Sequence, residues 1–101
     1  MSKRNRVQDI ELMRRMHGRQ CEILGCKKAG EVHHIIPRSQ LGPDLPWNLM
    51  NLCTQHHVHE WHKHGVKFMI ENYPDLIPNL KSRGFEVHDA LGKIYLIRSK
   101  N

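Results

Sequence analysis

Two short pairs of thiol and imidazole residues constrain this chain more than any other feature. Cys21 and Cys26 stand in CEILGC, and beyond a long intervening stretch Cys53 and His56 stand in CTQH. Each pair can supply one edge of a tetrahedron, so the four residues fit a closed Cys3His metal site. Thiolate ligands favour zinc over magnesium or calcium, and four protein ligands leave no open position for chemistry. The expected role of this structural zinc is therefore folding. A chain of 101 residues, 39% of them hydrophobic, builds a small core, and a metal cross-link compensates for that. The competing reading is that the cysteines are small buried apolar residues and His56 is incidental.

The length predicts one domain, 1–101, made of a basic N-terminal helix (1–20), a knuckle and core segment (21–65) and a helical and hairpin extension (66–101). Sixteen Lys+Arg against ten Asp+Glu give a formal charge of +6, which suits a polyanionic partner but could equally serve solubility. Three cysteines cannot all pair within one chain, no secretory core follows Met1, and no apolar run is long enough to span a bilayer. The expectation is a soluble, cytoplasmic protein with no membrane partner.

Val7, Ile10, Met13 and Met16 recur every third residue, which predicts a short helix ending near Gly18 with this stripe packed on the core. Arg4, Arg6, Arg14, Arg15 and Arg19 surround the stripe, either to touch phosphate or to solvate an outer face. Val32 to Ile36 reads as a strand, Pro37 to Trp47 as a loop, and Asn48 to Cys53 as a second strand. Thr54 is the expected N-cap of a helix that Gly65 stops. Phe68 to Tyr73 and Leu76 to Arg83 read as helices broken at Pro74. FEVHDALGKIYLIR reads as a hairpin turning around Asp89 to Gly92, with Val87, Leu91, Ile94, Leu96 and Ile97 available for packing. Trp47 and Trp61 are assigned to the core, and the fold class is a small α+β domain.

The runs EVHHIIPRS and NLMNLCTQHH, flanked by the Cys-x4-Cys and Cys-x2-His pairs, resemble the HNH endonucleases over roughly Cys21 to His64. That resemblance implies an α+β, ββα-metal core with a zinc knuckle. It also implies a metal-dependent DNA endonuclease or nickase. On this resemblance His34 is the general base, His33 and His57 hold a catalytic divalent ion, and Asn48 keeps the long loop in register with the base strand. Physical chemistry is consistent with that division. A neutral imidazole can take a proton from water near neutral pH, and a divalent ion stabilises charge developing on phosphate. Successive helical residues point about 100° apart, so His56 can serve the knuckle while His57 faces the second ion.

Two points do not fit a regular backbone. Consecutive strand residues face opposite sides, so His33 and His34 reach one phosphate only if the strand twists, bulges or ends, or if they approach from different sides. Some similar proteins carry another metal histidine four residues beyond the helix histidine, but here that position is Trp61. His62 lies one residue further, badly placed on an α-helix, and is kept as a candidate third ligand.

Imidazole ligands suit manganese, nickel, cobalt or zinc at least as well as magnesium. Arg38 either clamps a phosphate or is a solvated loop charge. His17, His59, His64 and His88 read as ordinary surface or satisfied histidines. The implied partner is DNA, held largely through its phosphates, in a bacterial or phage-infected cell. The resemblance also allows a terminase-type packaging partner in a phage. The alternative reading is a catalytically silent zinc-knuckle module that binds nucleic acid, or an accessory factor of a larger complex.

Overall fold

The central hairpin pairs β1 (Glu31–His34) with β2 (Leu49–Leu52) in antiparallel register, Glu31 opposite Leu52 and His34 opposite Leu49. The computed structural model describes residues 5–98, so Arg4 of the basic N-terminal run lies outside the described residues. Both strands are shorter than the sequence suggests because the ladder changes character at its open end. Ile35 N–H still donates to Asn48 O at 2.9 Å, but Ile36 N–H is taken by the Asn48 side chain at 2.7 Å. All four β2 residues are buried, so this strand runs through the core rather than over it.

Around the hairpin the order is α1 (Ile10–Met16), β1, two short 3-10 turns, β2, a π-helix (Gln55–His62), α2 (Lys63–Asn72), α3 (Leu76–Ser82) and a second antiparallel hairpin of β3 (Phe85–Ala90) and β4 (Lys93–Arg98). The fold is α+β. Leu49, Met50, Leu52, Met69, Leu76 and Leu80 are its most deeply buried apolar side chains. Trp61 belongs to the core cluster, with Trp47 packed against it, tilted against Phe85 and under the Arg98 guanidinium at 3.7 Å. A polar bracket ties the C-terminal helices to the knuckle. Arg83 donates to Glu22 at 2.6 Å and to Leu49 O at 2.6 Å, and Glu22 accepts from Asn51 N–H at 2.7 Å. Among the described residues no helix is long and apolar enough to cross a membrane.

Several expectations need correction. Asp9 caps α1 by accepting from Leu12 N–H, so Val7 precedes the helix, and Val7 and Ile10 are 50% and 64% exposed. Only Met16 of that stripe is buried. Thr54 is already helical (φ −53, ψ −41) and makes no capping bond, because the chain enters the helix directly from Cys53, whose carbonyl accepts from His57 N–H. Gly65 does break the helix, at φ 84 and ψ 177, after which the chain resumes helical conformation to Asn72. At the tip of the second hairpin Leu91 and Gly92 both have positive φ, the conformation of a tight two-residue turn. Leu91 therefore projects into solvent, and Ile97 faces outward because its neighbour Leu96 faces in.

Candidate active site

Cys21, Cys26, Cys53 and His56 converge with their ligand atoms within 4.8 Å of one another. His56 Nδ1 lies 3.4 Å from Cys21 Sγ and 3.1 Å from Cys53 Sγ, and Cys26 Sγ lies 3.9 Å from Cys53 Sγ. A tetrahedral ion with about 2.3 Å metal–sulfur bonds separates two sulfurs by about 3.8 Å, so these contacts fit the edges of a coordination shell. Burial pushes the Cys21 thiol up to about 11, whereas the backbone N–H of Lys28 holds Cys26 below the usual thiol range. His56 also packs edge-on against Tyr73, whose hydroxyl donates to Glu60. The donor set fits a metal ion.

A second cluster brings His33, His57 and His62 together, again with candidate ligand atoms within 4.8 Å of one another. His33 comes from β1 and is 3% exposed; its ring lies 5.0 Å from His57, 5.7 Å from His62 and 4.4 Å from Trp61. The π-helix is what admits His62. Its hydrogen bonds run five residues apart, so positions five apart stack on one face, and the His57 and His62 rings sit 4.3 Å apart. Trp61, at the position an α-helix would have aligned with His57, turns into the core instead.

Both ring nitrogens of His33 are buried and have no hydrogen-bond partner among the described residues. An unpartnered buried polar atom costs about 1–3 kcal/mol, and an ion shared with His57 and His62 would relieve one of them. Burial, reinforced by the neighbouring His57 and His62, brings the His33 imidazole down to about 3, so the ring is neutral and its lone pair free for a cation. His57 Nδ1 pairs with the Glu31 carboxylate at 3.0 Å. Such a partner fixes the tautomer and orientation of a metal-binding imidazole and leaves Nε2 for the ion.

The strand conflict between His33 and His34 is resolved by position. β1 ends at His34, and both residues line one cleft of about 490 Å³ together with Arg38, His57, Trp61 and His62. His34 reaches away from the imidazole cluster, and its Nε2 lies 2.7 Å from Asp44 Oδ1. Arg38 is exposed on the 3-10 turn that follows β1.

Asn48 is fully buried. Its Oδ1 accepts from Ile36 N–H, and its Nδ2 donates to Ile36 O at 3.1 Å and to Pro43 O at 3.0 Å. One amide thereby closes the long loop on itself. Gly42 sits inside that closure, where a Cβ would fall 1.7 Å from Ile36 O, so no other residue fits. His59 is exposed, His64 stacks on Phe68 and His88 pairs with Glu86, away from either cluster.

Sequence reasoning missed Asp44 and Glu31, and it read Arg6 as a phosphate contact or a solvating charge where the structure pairs it with Asp44. Asp44 is 3% exposed and accepts from His34, from Asp9 N–H at 2.9 Å and from Arg6. Burial alone would raise its carboxyl, but these donors outweigh it and hold the group at about 2. The sequence shows only an acid in a proline- and glycine-rich loop, where turn composition accounts for it. Glu31 could have been suspected from its place two residues before His33, on the same face of an alternating strand.

No curated protein and no solved structure matches the chain at a significant level. The family model described as HNH endonuclease matches residues 19–55, a span that holds Cys21, Cys26, His33, His34, Asn48 and Cys53 and stops before His56, His57 and His62. Over that span, which covers the strand pair β1 and β2, the chain is similar to the HNH endonuclease family.

Proposed function

We propose that this protein is a metal-dependent endonuclease that hydrolyses phosphodiester bonds of DNA, with His34 as general base. The observation that carries the reading is the buried, unpartnered His33 imidazole facing His57 and His62 in the cleft that His34 and Arg38 also line. His33, His57 and His62 would hold the catalytic divalent ion, His62 as the third ligand. Cys21, Cys26, Cys53 and His56 would hold a structural zinc, since a sulfur-rich closed shell suits zinc best. The catalytic ion, when bound, supplies positive charge for the scissile phosphate and the departing oxygen.

The protein's own groups do the rest. His34 accepts a proton from the attacking water at a ring nitrogen. Glu31 keeps His57 turned toward the cluster, Trp61 closes the site behind His33, and Asn48 holds the loop that leads from the base strand. Arg38 at the rim is placed to pair with a phosphate. Exposed Arg15, Arg19, Lys27 and Lys28 add positive surface, which favours DNA as the substrate and implies salt-sensitive, backbone-directed binding. The all-imidazole ligand set predicts activity with manganese, nickel or cobalt at least equal to that with magnesium. No observation favours a packaging-enzyme partner, and none is proposed.

The test is cleavage of supercoiled plasmid by wild type and His34→Ala with magnesium, manganese, nickel or zinc, after metal analysis confirms that both retain the knuckle ion. Nicking by wild type that the folded variant lacks supports the reading. Binding of DNA without cleavage under every metal would instead make the protein a silent nucleic-acid-binding module.

A further inference from the structure

One buried carboxylate, that of Asp44, joins the N-terminal arm and the long loop to His34. Asp44 sits between two partners of different kinds. Its Oδ1 receives Nε2 of His34 at 2.7 Å. Arg6 donates to the same Oδ1, Asp9 N–H donates to Oδ2 at 2.9 Å, and Asp44's own N–H donates to Val7 O at 2.9 Å. The N-terminal arm thus holds the carboxylate at Oδ2 and at the Asp44 backbone, two points that the histidine does not use. The loop beneath it is fixed as well, because Asn48 holds Pro43 O, one residue before Asp44.

A carboxylate accepts hydrogen bonds and cannot donate them when ionised. The Nε2 facing Asp44 must therefore carry the imidazole proton, which leaves the lone pair on Nδ1. Nδ1 of His34 has no hydrogen-bond partner among the described residues, and His34 lines the same cleft as His33, His57 and His62. A base that holds its proton on the wrong nitrogen cannot take another from water at the site, so the choice of tautomer decides whether His34 works.

Building on the nuclease reading, we infer that Asp44, held in place by Arg6 and Asp9, is a positioning residue that locks His34 in the Nε2–H tautomer and presents Nδ1 as the atom that accepts the proton of the attacking water. The carboxylate also stabilises the imidazolium that forms once that proton is taken. It never contacts substrate. The N-terminal arm, outside the segment that matches the family model, thereby becomes part of what makes the base competent.

Three measurements on the full-length, zinc-loaded chain test this. Asp44→Asn preserves size and, with its one oxygen on Asp9 N–H, sets the amide nitrogen in the Oδ1 place, where Arg6 loses its acceptor and the amide can donate to Nε2 and pull the histidine into the other tautomer. With manganese and a short duplex substrate, this variant should lose about 10²–10⁴-fold in kcat, the range general-base catalysis contributes, with KM unchanged. Nitrogen-15 NMR of His34 should show Nε2 protonated and Nδ1 unprotonated in the wild type, with the order reversed or mixed in Asp44→Asn. In a His34→Ala background, Asp44→Asn should cost nothing further, because a residue that acts through another has no effect once that other is gone.

Wild type that cuts while folded Asp44→Asn retains its kcat would overturn the inference and leave the nuclease reading standing. So would a wild-type His34 protonated on Nδ1, or additive losses in the double variant. Wild type that cuts under no metal removes the nuclease reading, and the inference falls with it.

Discussion

Replacing Asn48 by alanine removes a side chain that makes three hydrogen bonds to the backbone of one loop while being fully buried. The Ile36 N–H loses its 2.7 Å acceptor, and the carbonyls of Ile36 and Pro43 lose their donor. An unsatisfied buried group costs about 1–3 kcal/mol, and carbonyls keep a second lone pair for other contacts, so the total should come to about 3–5 kcal/mol. For a domain of about this size each kcal/mol lowers Tm by roughly 4–8 °C, which places the shift at no less than about 12 °C. Asn48→Asp should be at least as damaging, because it keeps the acceptor for Ile36 N–H but sets a carboxylate against two carbonyl oxygens. Urea denaturation of both variants with the knuckle metal bound measures the effect. A loss below about 0.5 kcal/mol, the level of ordinary surface substitutions, would refute the claim that this amide closes the loop.

Other consequences can be read from single variants or conditions. Glu31→Gln should weaken divalent-ion binding at the imidazole cluster by about 10–100-fold, the usual effect of losing a partner that orients a metal-binding histidine, as read by calorimetric titration. His62→Ala should weaken it at least as much while His59→Ala leaves it unchanged; equal behaviour of the two would mean that the π-helix does not bring His62 to the ion. With the imidazole cluster free of metal, stability should fall as pH drops from 6.5 toward about 3, because the unfolded chain protonates His33 first and the folded chain resists it. The slope from this residue is about 1.4 kcal/mol per pH unit, and denaturation midpoints that stay flat between pH 6.5 and 5 would contradict the buried neutral imidazole. Stripping the knuckle ion with a chelator should unfold the protein cooperatively, seen as loss of far-ultraviolet circular dichroism, since four residues from two distant segments then lose their common partner.

Spacing made much of the fold legible and composition made little of it so. The knuckle could be read because Cys21, Cys26, Cys53 and His56 are residue types that seldom cluster without a ligand, and their separations alone suggest a tetrahedron. The central hairpin and its helix followed from apolar runs bounded by Pro37, Trp47 and Gly65. The terminal hairpin followed from the glycine at its turn, although that same turn put Leu91 into solvent. The nearness of His62 to His57 was not foreseen because an α-helix was assumed, and five-residue spacing faces the wrong way on one; no local signal distinguishes a π-helix from it. Asp44 escaped because its meaning lies in two distant partners, His34 and Arg6, that only the closed loop brings together. The N-terminal stripe misled for a related reason. Its three-residue period was real, but Asp9 begins the helix after Val7 and leaves Ile10 beside an open groove.

Cobalt titration of the metal-free, refolded protein tests the central claim most directly, because the two sites differ in chemistry. The sulfur-rich site gives strong thiolate-to-cobalt charge-transfer absorption, whereas an imidazole site gives only weak visible bands. If plasmid nicking is followed in the same titration, the first equivalent should saturate the charge-transfer band with little cleavage. Nicking should then rise with the second equivalent and be absent in His57→Ala, which still takes up the first. Cleavage that saturates with the charge-transfer band, or a filled second site that cuts nothing, would contradict a catalytic ion held by His33, His57 and His62.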